Sequence, residues 1–126
     1  MKNNILEIII SAPVEEVFEF TINPSNTPKW IKNIVREETN ERPVKIGTVY
    51  KNLNDKGIWT EYEVIQLEEN KLFELKQKNN SYFVRYDYKL ISPGTTKLTY
   101  TEWVEEGDIN NPFGKDVLEK LKEIIE

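Results

Sequence analysis

The sequence contains neither cysteine nor histidine. Without cysteine the chain can form no disulfide and has no thiolate for catalysis or metal binding. Without histidine it lacks the most common general base and metal ligand, and it cannot assemble a Ser–His or Cys–His nucleophile. Carboxylates remain, but none cluster with the spacing of metal ligands. We therefore predict no metal site and no cofactor.

A basic stripe and a long hydrophobic run are also missing. The formal net charge is −5, whereas nucleic-acid-binding proteins normally present a basic surface. The longest apolar run, Ile8–Ile10, is far too short to cross a membrane. Residues 1–4 show no signal-peptide pattern. We expect no nucleic-acid partner, no membrane span and a cytoplasmic location.

Length and pattern indicate one α+β domain over residues 1–126. A chain of this size is typical of a single domain and buries enough surface for one core. Isoleucine-rich residues 5–11 predict a strand, and the helix that follows ends at Asn23–Pro24. Thr27 is then predicted to cap a second short helix, followed by an edge strand over residues 35–42.

From residue 48 onward the pattern predicts consecutive hairpins and a final helix. Asparagine and glycine tolerate the positive φ of tight turns, and they separate the β-prone segments. The predicted strands are 48–53, 58–68, 71–78, 81–91 and 95–104. Asn110 or Asn111 is predicted to cap the helix, with Pro112 just inside it. Its apolar stripe consists of Val117, Leu118, Leu121, Ile124 and Ile125.

Hairpin turns fix the strand register, which decides which side chains share a face of the sheet. Two-residue turns place Glu74 opposite Arg85. The same register pairs Glu63 with Lys76 and Glu61 with Lys78. Such pairs contribute ~0.2–1 kcal/mol each and mark a solvated face. The opposite face, here called the tyrosine face, carries Tyr62, Val64, Gln66, Phe73, Leu75, Tyr82, Val84, Tyr86, Tyr88, Leu98, Tyr100 and Glu102.

Five of the six tyrosines fall on the tyrosine face. One interpretation is a packed core, because tyrosine is common in strands. The other is a ligand cavity, because five phenol hydroxyls need hydrogen-bond partners that an aliphatic core does not offer. Residue type alone leaves both interpretations open.

Two segments near the N-terminus carry a resemblance to a known family. Residues 12–20 (APVEEVFEF) join an Ala-Pro helix start to an aromatic helix, and residues 23–30 (NPSNTPKW) join an Asn-Pro break to a tryptophan. Gly47–Thr48, residues 93–102 and residues 118–126 continue the pattern. In these segments the chain resembles the START-like (SRPBCC) superfamily, and within it the polyketide cyclase/dehydrase and lipid-transport branch.

The resemblance implies a helix-grip, Bet v 1-like fold. An antiparallel sheet of about seven strands would curl around a C-terminal helix, with two short helices after the first strand and a ligand cavity between sheet and helix. Only residues 104–126 follow Trp103, so the terminal helix is roughly two turns, or ~11 Å, shorter than is usual in the family. This predicts a wider cavity mouth or one closed by a partner chain, as in a homodimer.

The resemblance also makes aromatic residues candidates for ligand binding. Trp30 follows the Asn-Pro break, where family members place residues around the pocket entrance; the alternative is an ordinary core tryptophan. The other aromatic candidates lie on the tyrosine face: Tyr62, Phe73, Tyr86, Tyr88 and Tyr100. The family has no universal catalytic motif, so no active-site residue can be carried over.

Glu102 is the one acidic residue that this register turns inward. A buried carboxylate is unfavourable unless it is hydrogen-bonded or neutralised, as acids prepared for proton transfer or ligand binding are. Glu102 is therefore a candidate for both roles, although a one-residue slip would expose it and bury Trp103. Trp59 and Trp103 otherwise lie on the charged face, where they would mark a contact surface. The pair Glu37–Glu38 is expected to be solvated.

Three functions fit these observations. The favoured one is binding of a small apolar or amphipathic ligand in the cavity. The second is a cyclase/dehydratase-like enzyme acting on a hydrophobic substrate, with Glu102 and tyrosines for acid–base work. The third is a protein-interaction module similar to the chaperone activators of this fold. Whether the protein is an enzyme stays open.

Overall fold

The computed structural model describes residues 2–126. The first half of the fold contains β1 (Lys2–Ile10), α1 (Val14–Ile22), a 3-10 turn (Pro24–Asn26) and α2 (Thr27–Trp30). The remaining elements are β2 (Ile34–Thr39), β3 (Val49–Asn54), β4 (Trp59–Glu68), β5 (Leu72–Gln77), β6 (Tyr82–Ser92), β7 (Thr95–Val104) and α3 (Lys115–Ile125). No helix within residues 2–126 is long and apolar enough to cross a membrane.

The seven strands form one antiparallel sheet in the order β1-β7-β6-β5-β4-β3-β2. The sheet curls into a half-barrel whose edge strands are β1 and β2. On its concave side α1 packs against β6 and β7, α2 packs against β2, and α3 packs against β1 and α2. The predicted α+β helix-grip architecture is confirmed.

The turn chemistry gave the correct register over most of the sheet. Asn70 and Asn79 adopt φ angles of 62° and 65°, the left-handed conformation expected of them in tight turns. Glu74 lies opposite Arg85, as predicted. The other two pairs also form: Glu63 opposes Lys76, and Lys78 Nζ lies 3.8 Å from Glu61 Oε1.

Gln66 departs from the prediction that placed it on the tyrosine face. The pairing of β4 with β5 shifts between Val64 and Gln66, and this bulge turns Gln66 to the convex face. There its Nε2 donates to Glu74 Oε1 at 3.1 Å. Leu67 opposes Phe73 instead and packs against the core. The side chain of Glu74 is only 7% exposed, so the charged face is not solvated throughout.

Both predicted helix caps are wrong. Thr27 lies within α2, and its hydroxyl donates to Glu37 instead of capping the helix. Neither Asn110 nor Asn111 caps α3, which begins at Lys115 after Gly114. The physical reason is that the backbone N–H of Phe113 donates to the Glu102 carboxylate. This bond holds the residues before α3 against the sheet, so the helix starts only after them.

The core lies between the concave face of the sheet, α1 and α3. Leu118 and Leu121 are the fully buried part of the predicted stripe on α3, and each such leucine stabilises the fold by about 1.5–3 kcal/mol relative to an exposed one. The tyrosine face is likewise inside: Tyr86, Tyr88 and Tyr100 are all buried.

Candidate functional site

A cavity of about 640 Å³ lies between the concave face of the sheet and the segments that cover it. Its floor includes Phe73 and Val84, and its cover includes Ile31 after α2 and Phe113 before α3. The rim is formed in part by exposed polar residues between 106 and 111. This volume is typical of small-molecule sites.

The structure brings four of the predicted site residues together in the cavity wall: Tyr62, Phe73, Tyr86 and Tyr100. Three others are buried in the surrounding core without lining the cavity: Trp30, Tyr88 and Glu102. The tyrosine face is therefore part cavity wall and part packed core. That a ligand occupies the cavity stays a prediction.

The hydroxyls of the wall residues Tyr62 and Tyr86 form no hydrogen bond within residues 2–126, whereas the hydroxyls of Tyr50, Tyr82 and Tyr88 each form one. The Tyr86 side chain is 6% exposed, and its ring stacks on Phe73 at 5.6 Å between centroids. The Tyr86 oxygen is not among the fully enclosed polar atoms of residues 2–126, so it opens on the cavity and is free for a molecule there. Burial raises its pKa well above the ordinary 10.0, which keeps it a neutral donor.

Tyr88 is a core residue, not a wall residue. Its hydroxyl lies 2.6 Å from the hydroxyl of Thr21 on α1. Thr21 donates in turn to the carbonyls of Val17 and Phe18, so Tyr88 donates to Thr21. The ring of Phe18 packs edge-on against Tyr88 at 5.2 Å. Tyr88 thus fixes α1 to β6.

Trp30 is also a core residue, which is the alternative weighed for it. It is 3% exposed and lies edge-on to Tyr86 at 6.4 Å and to Phe113 at 6.2 Å. Its Nε1 is buried and has no hydrogen-bond partner among the residues that the structure describes. Trp30 supports the wall residue Tyr86 from behind.

Glu102 faces inward as predicted, with Trp103 on the convex side stacked on Phe83 at 4.9 Å. Its carboxylate accepts three hydrogen bonds: from Tyr82 Oη at 2.7 Å, Asn4 Nδ2 at 2.9 Å and the backbone N–H of Phe113 at 2.8 Å. Both oxygens are therefore occupied. This geometry makes Glu102 an anchor between β7, β6, β1 and the segment before α3, while the catalytic role predicted for it stays a prediction.

The sequence reasoning missed Glu37, which was expected on the solvated surface. Glu37 is half-buried in β2 and lines the cavity. Its Oε1 accepts a 2.5 Å hydrogen bond from the Thr27 hydroxyl. Burial raises the pKa of Glu37 from 4.5 to about 7, against the lowering effect of hydrogen bonds with Thr27 and Asn52. Alternation along β2 was the available signal, because Glu37 and Glu38 must face opposite ways.

Tyr50 is the sixth tyrosine and was also missed. It is 1% exposed, and its hydroxyl donates to the carbonyl of Ile22 at 2.6 Å. Tyr50 on β3 and Tyr62 on β4 line the same cavity as Glu37, and each has a raised pKa, caused first by burial and then by the negative charge of Glu37. Tyr50, Tyr62 and Glu37 thus form one end of the cavity.

The charge of the cavity wall is entirely of one sign. Its ionisable residues other than tyrosine are Glu37, inside, and Glu106 and Asp108 at the exposed rim. Within residues 2–126 no lysine or arginine lines the cavity. Lys2 reaches the rim from outside, 3.8 Å from Asp108, and both side chains are exposed. No group of three or more carboxylates in the described part of the chain is placed to hold a metal ion.

Solved structures share this fold over almost the whole chain. XoxI from Bacillus cereus superposes with a TM-score of 0.79 at 13% identity, over 99% of this chain and 96% of that one. The Aha1 dimer from Colwellia psychrerythraea gives 0.77 at 18% identity, over 99% and 96%. The di-domain ARO/CYC protein BexL gives 0.68 at 14% identity, over 82% of this chain and 36% of that one.

No curated protein is significantly similar to this chain. The family model described as polyketide cyclase / dehydrase and lipid transport matches residues 6–125, which include every strand and helix at least in part. The match agrees with the architecture and with the cavity between sheet and helices. The chain therefore belongs to the polyketide cyclase/dehydrase and lipid transport family.

Proposed function

We propose that the protein binds a small apolar or amphipathic molecule in the 640 Å³ cavity. The observation that carries this proposal is the free hydroxyl of Tyr86 beside an apolar patch of the wall that includes Phe73, while the rest of the wall also contains neutral polar side chains such as Asn52 and Thr60. An apolar body would contact Phe73 and Val84, and one polar group would complete the hydrogen bonding of Tyr86. A cytoplasmic location and closure of the mouth by a second copy of the chain belong to the same proposal.

An environment-sensitive apolar fluorophore tests this function. We expect it to bind the native protein at about one molecule per chain and to be displaced by polycyclic or long-chain neutral compounds. Val84→Trp would fill the floor of the cavity and should abolish binding. Leu90→Trp, on an exposed position of the same strand, is the matched control and should bind normally. Absence of binding to the native protein would contradict the proposal.

Glu37 supports a second candidate function, catalysis of the cyclase or dehydratase kind. A group with a pKa of about 7 can both donate and accept a proton near neutral pH, and Glu37 lines the cavity. Native mass spectrometry of the protein after addition of a ligand separates a binder from a dehydratase. A binder returns its ligand unchanged, whereas a dehydratase returns it lighter by one water.

The convex face supports a third candidate, a protein-interaction module. Phe83 and Trp103 stack with their planes 2° apart, and Trp59 is 46% exposed. Exposed aromatic side chains are enriched at protein interfaces, and one protein of the same fold was solved as a dimer. Sedimentation of wild type and of a Trp59→Gln, Trp103→Gln variant tests self-association through this face.

A further inference from the structure

The cavity wall formed by residues 2–126 carries no positive charge, and Arg42, which does not line it, acts on the wall residue Tyr50 from outside. The wall within the described residues contains no lysine or arginine, and Glu37, Glu106 and Asp108 are all acidic. A carboxylate or phosphate ligand would leave water without gaining an oppositely charged partner, and it would be repelled by these acidic groups. The inner wall is therefore unsuited to fatty acids and other anions, although its apolar surface would accept their hydrocarbon parts.

Glu37 still has hydrogen-bonding capacity directed at the cavity. A carboxylate has about four acceptor sites, and the protein fills only some of those of Glu37, through Thr27 and Asn52. Thr27 holds the carboxylate from α2, and Asn52 holds it from β3. A donor in the cavity can approach the remaining sites without displacing either neighbour.

Aromatic residues line the cavity together with Glu37. Tyr50 comes from β3, the neighbour of β2, Tyr62 comes from β4 and Tyr86 from β6, and all three line the same cavity as Glu37. The pKa of each hydroxyl is raised in part by the charge of Glu37, which places all three within reach of its field. A carboxylate framed by aromatic rings attracts an organic cation through both charge and cation–π interaction.

We propose that this site selects amphipathic amines: Glu37 binds the protonated amine of the ligand, Tyr86 accepts or donates a hydrogen bond beside it, and the aromatic floor holds the apolar body. The proposal rests on the proposed binding function and specifies the ligand class for the same cavity. It assigns to Glu37 the role of specificity-determining residue.

Three compounds with the same apolar body and different polar groups test this proposal. They are the amine 2-(1-naphthyl)ethylamine, the alcohol 2-(1-naphthyl)ethanol and the carboxylate 1-naphthaleneacetate. Binding is measured by isothermal titration calorimetry at a pH above the pKa of Glu37, where the surrounding tyrosines are neutral because their pKa values are raised. We expect the amine to bind at least about tenfold more tightly than the alcohol. The acetate should bind weakest.

The variant Glu37→Gln keeps the shape and both neighbouring hydrogen-bond positions while removing the charge. It should bind amine and alcohol with equal affinity, within about twofold. Glu38→Gln is the matched control, because Glu38 is the next residue of β2 and is exposed on the opposite face. It should retain the full preference for the amine, and the unchanged alcohol affinity of both variants shows that they are folded.

The outcomes separate the two proposals. If wild type binds the alcohol but binds the amine no more tightly, or prefers the acetate, the amine proposal is overturned and the binding function stands. If Glu37→Gln keeps the amine preference, the assignment of Glu37 is overturned. If none of the three compounds binds wild type, both proposals fail together.

Discussion

The carboxylate of Glu102 and the backbone N–H of Phe113 lie 2.8 Å apart, which ties β7 to the segment that leads into α3. Because Phe113 stacks on Tyr100 at 4.7 Å, the same contact positions part of the cavity cover. A single buried acid therefore determines both where α3 begins and how the cavity is closed on that side.

Replacing Glu102 should destabilise the protein strongly. Glu102→Leu leaves the donors of Tyr82 and Phe113 without an acceptor and Asn4 with only the Phe113 carbonyl. We expect a loss of about 2–4 kcal/mol in the free energy of unfolding. Glu102→Gln retains one acceptor and should lose about 1 kcal/mol. Urea denaturation measures both. Glu105→Gln, an exposed neighbour, is the control, and a loss below about 1 kcal/mol for Glu102→Leu would contradict the anchoring role.

Tyr86→Phe and Tyr88→Phe should behave differently although the two residues lie on the same face of β6. The hydroxyl of Tyr86 has no partner in the described chain, so its removal should change the free energy of unfolding by less than about 0.5 kcal/mol while weakening polar ligands. Tyr88 donates to Thr21, so its loss should be about 0.5–1.5 kcal/mol with no effect on binding. Equal effects of the two variants on stability would contradict the division of the tyrosine face into wall and core.

Glu37 should make stability depend on pH. Its pKa is about 7 in the native protein against an ordinary 4.5, so between these values the native state holds a proton that the unfolded chain has released. The free energy of unfolding therefore falls as pH rises through this window. Tyr50, Tyr62 and Tyr86, which face Glu37, stay neutral throughout because their own pKa values are raised.

In wild type the free energy of unfolding should decrease by an amount on the order of 1–3 kcal/mol across that pH window, and Glu37→Gln should abolish this decrease. Each unit of pKa shift corresponds to about 1.4 kcal/mol, and the partial exposure of Glu37 reduces the effect. Urea denaturation of wild type and Glu37→Gln at several pH values measures the difference, with Glu38→Gln as control. A difference curve that is flat from pH 4.5 to 7 would show that Glu37 is not buried as described.

Chelators should leave stability unchanged. No group of three or more candidate ligands in residues 2–126 is placed to hold a metal ion. Thermal melts with and without EDTA should therefore coincide to within about 1 °C. A lower melting temperature in EDTA would contradict this prediction and indicate a metal site formed by fewer than three of these ligands.

Local chemistry made much of the sheet predictable from the sequence. Asn70 and Asn79 adopt the positive φ that their turns require, and the pairing of Glu74 with Arg85 follows from those turns. Four wall residues could be predicted for the same reason, because alternation along hairpins of known register determines which side chains face inward.

The features that depend on the curl of the sheet were not predictable. The bulge at Gln66 follows from how β4 bends against its neighbours, and no turn residue signals it. Glu37 was missed because the wall position of edge strand β2 depends on the sheet curving back over the cavity. The start of α3 depends on a contact between Phe113 and Glu102, which are joined only through tertiary structure.

The three tryptophans occupy different surroundings, so the protein contains its own optical reporter. Trp30 is 3% exposed and lies 6.4 Å from the wall residue Tyr86, whereas Trp59 is 46% exposed and Trp103 stacks on Phe83 on the convex face. Iodide should quench Trp59 and leave the emission of Trp30 intact. A molecule that enters the cavity and shifts the Tyr86 ring should change the iodide-resistant part of the spectrum, which allows binding to be followed without a label.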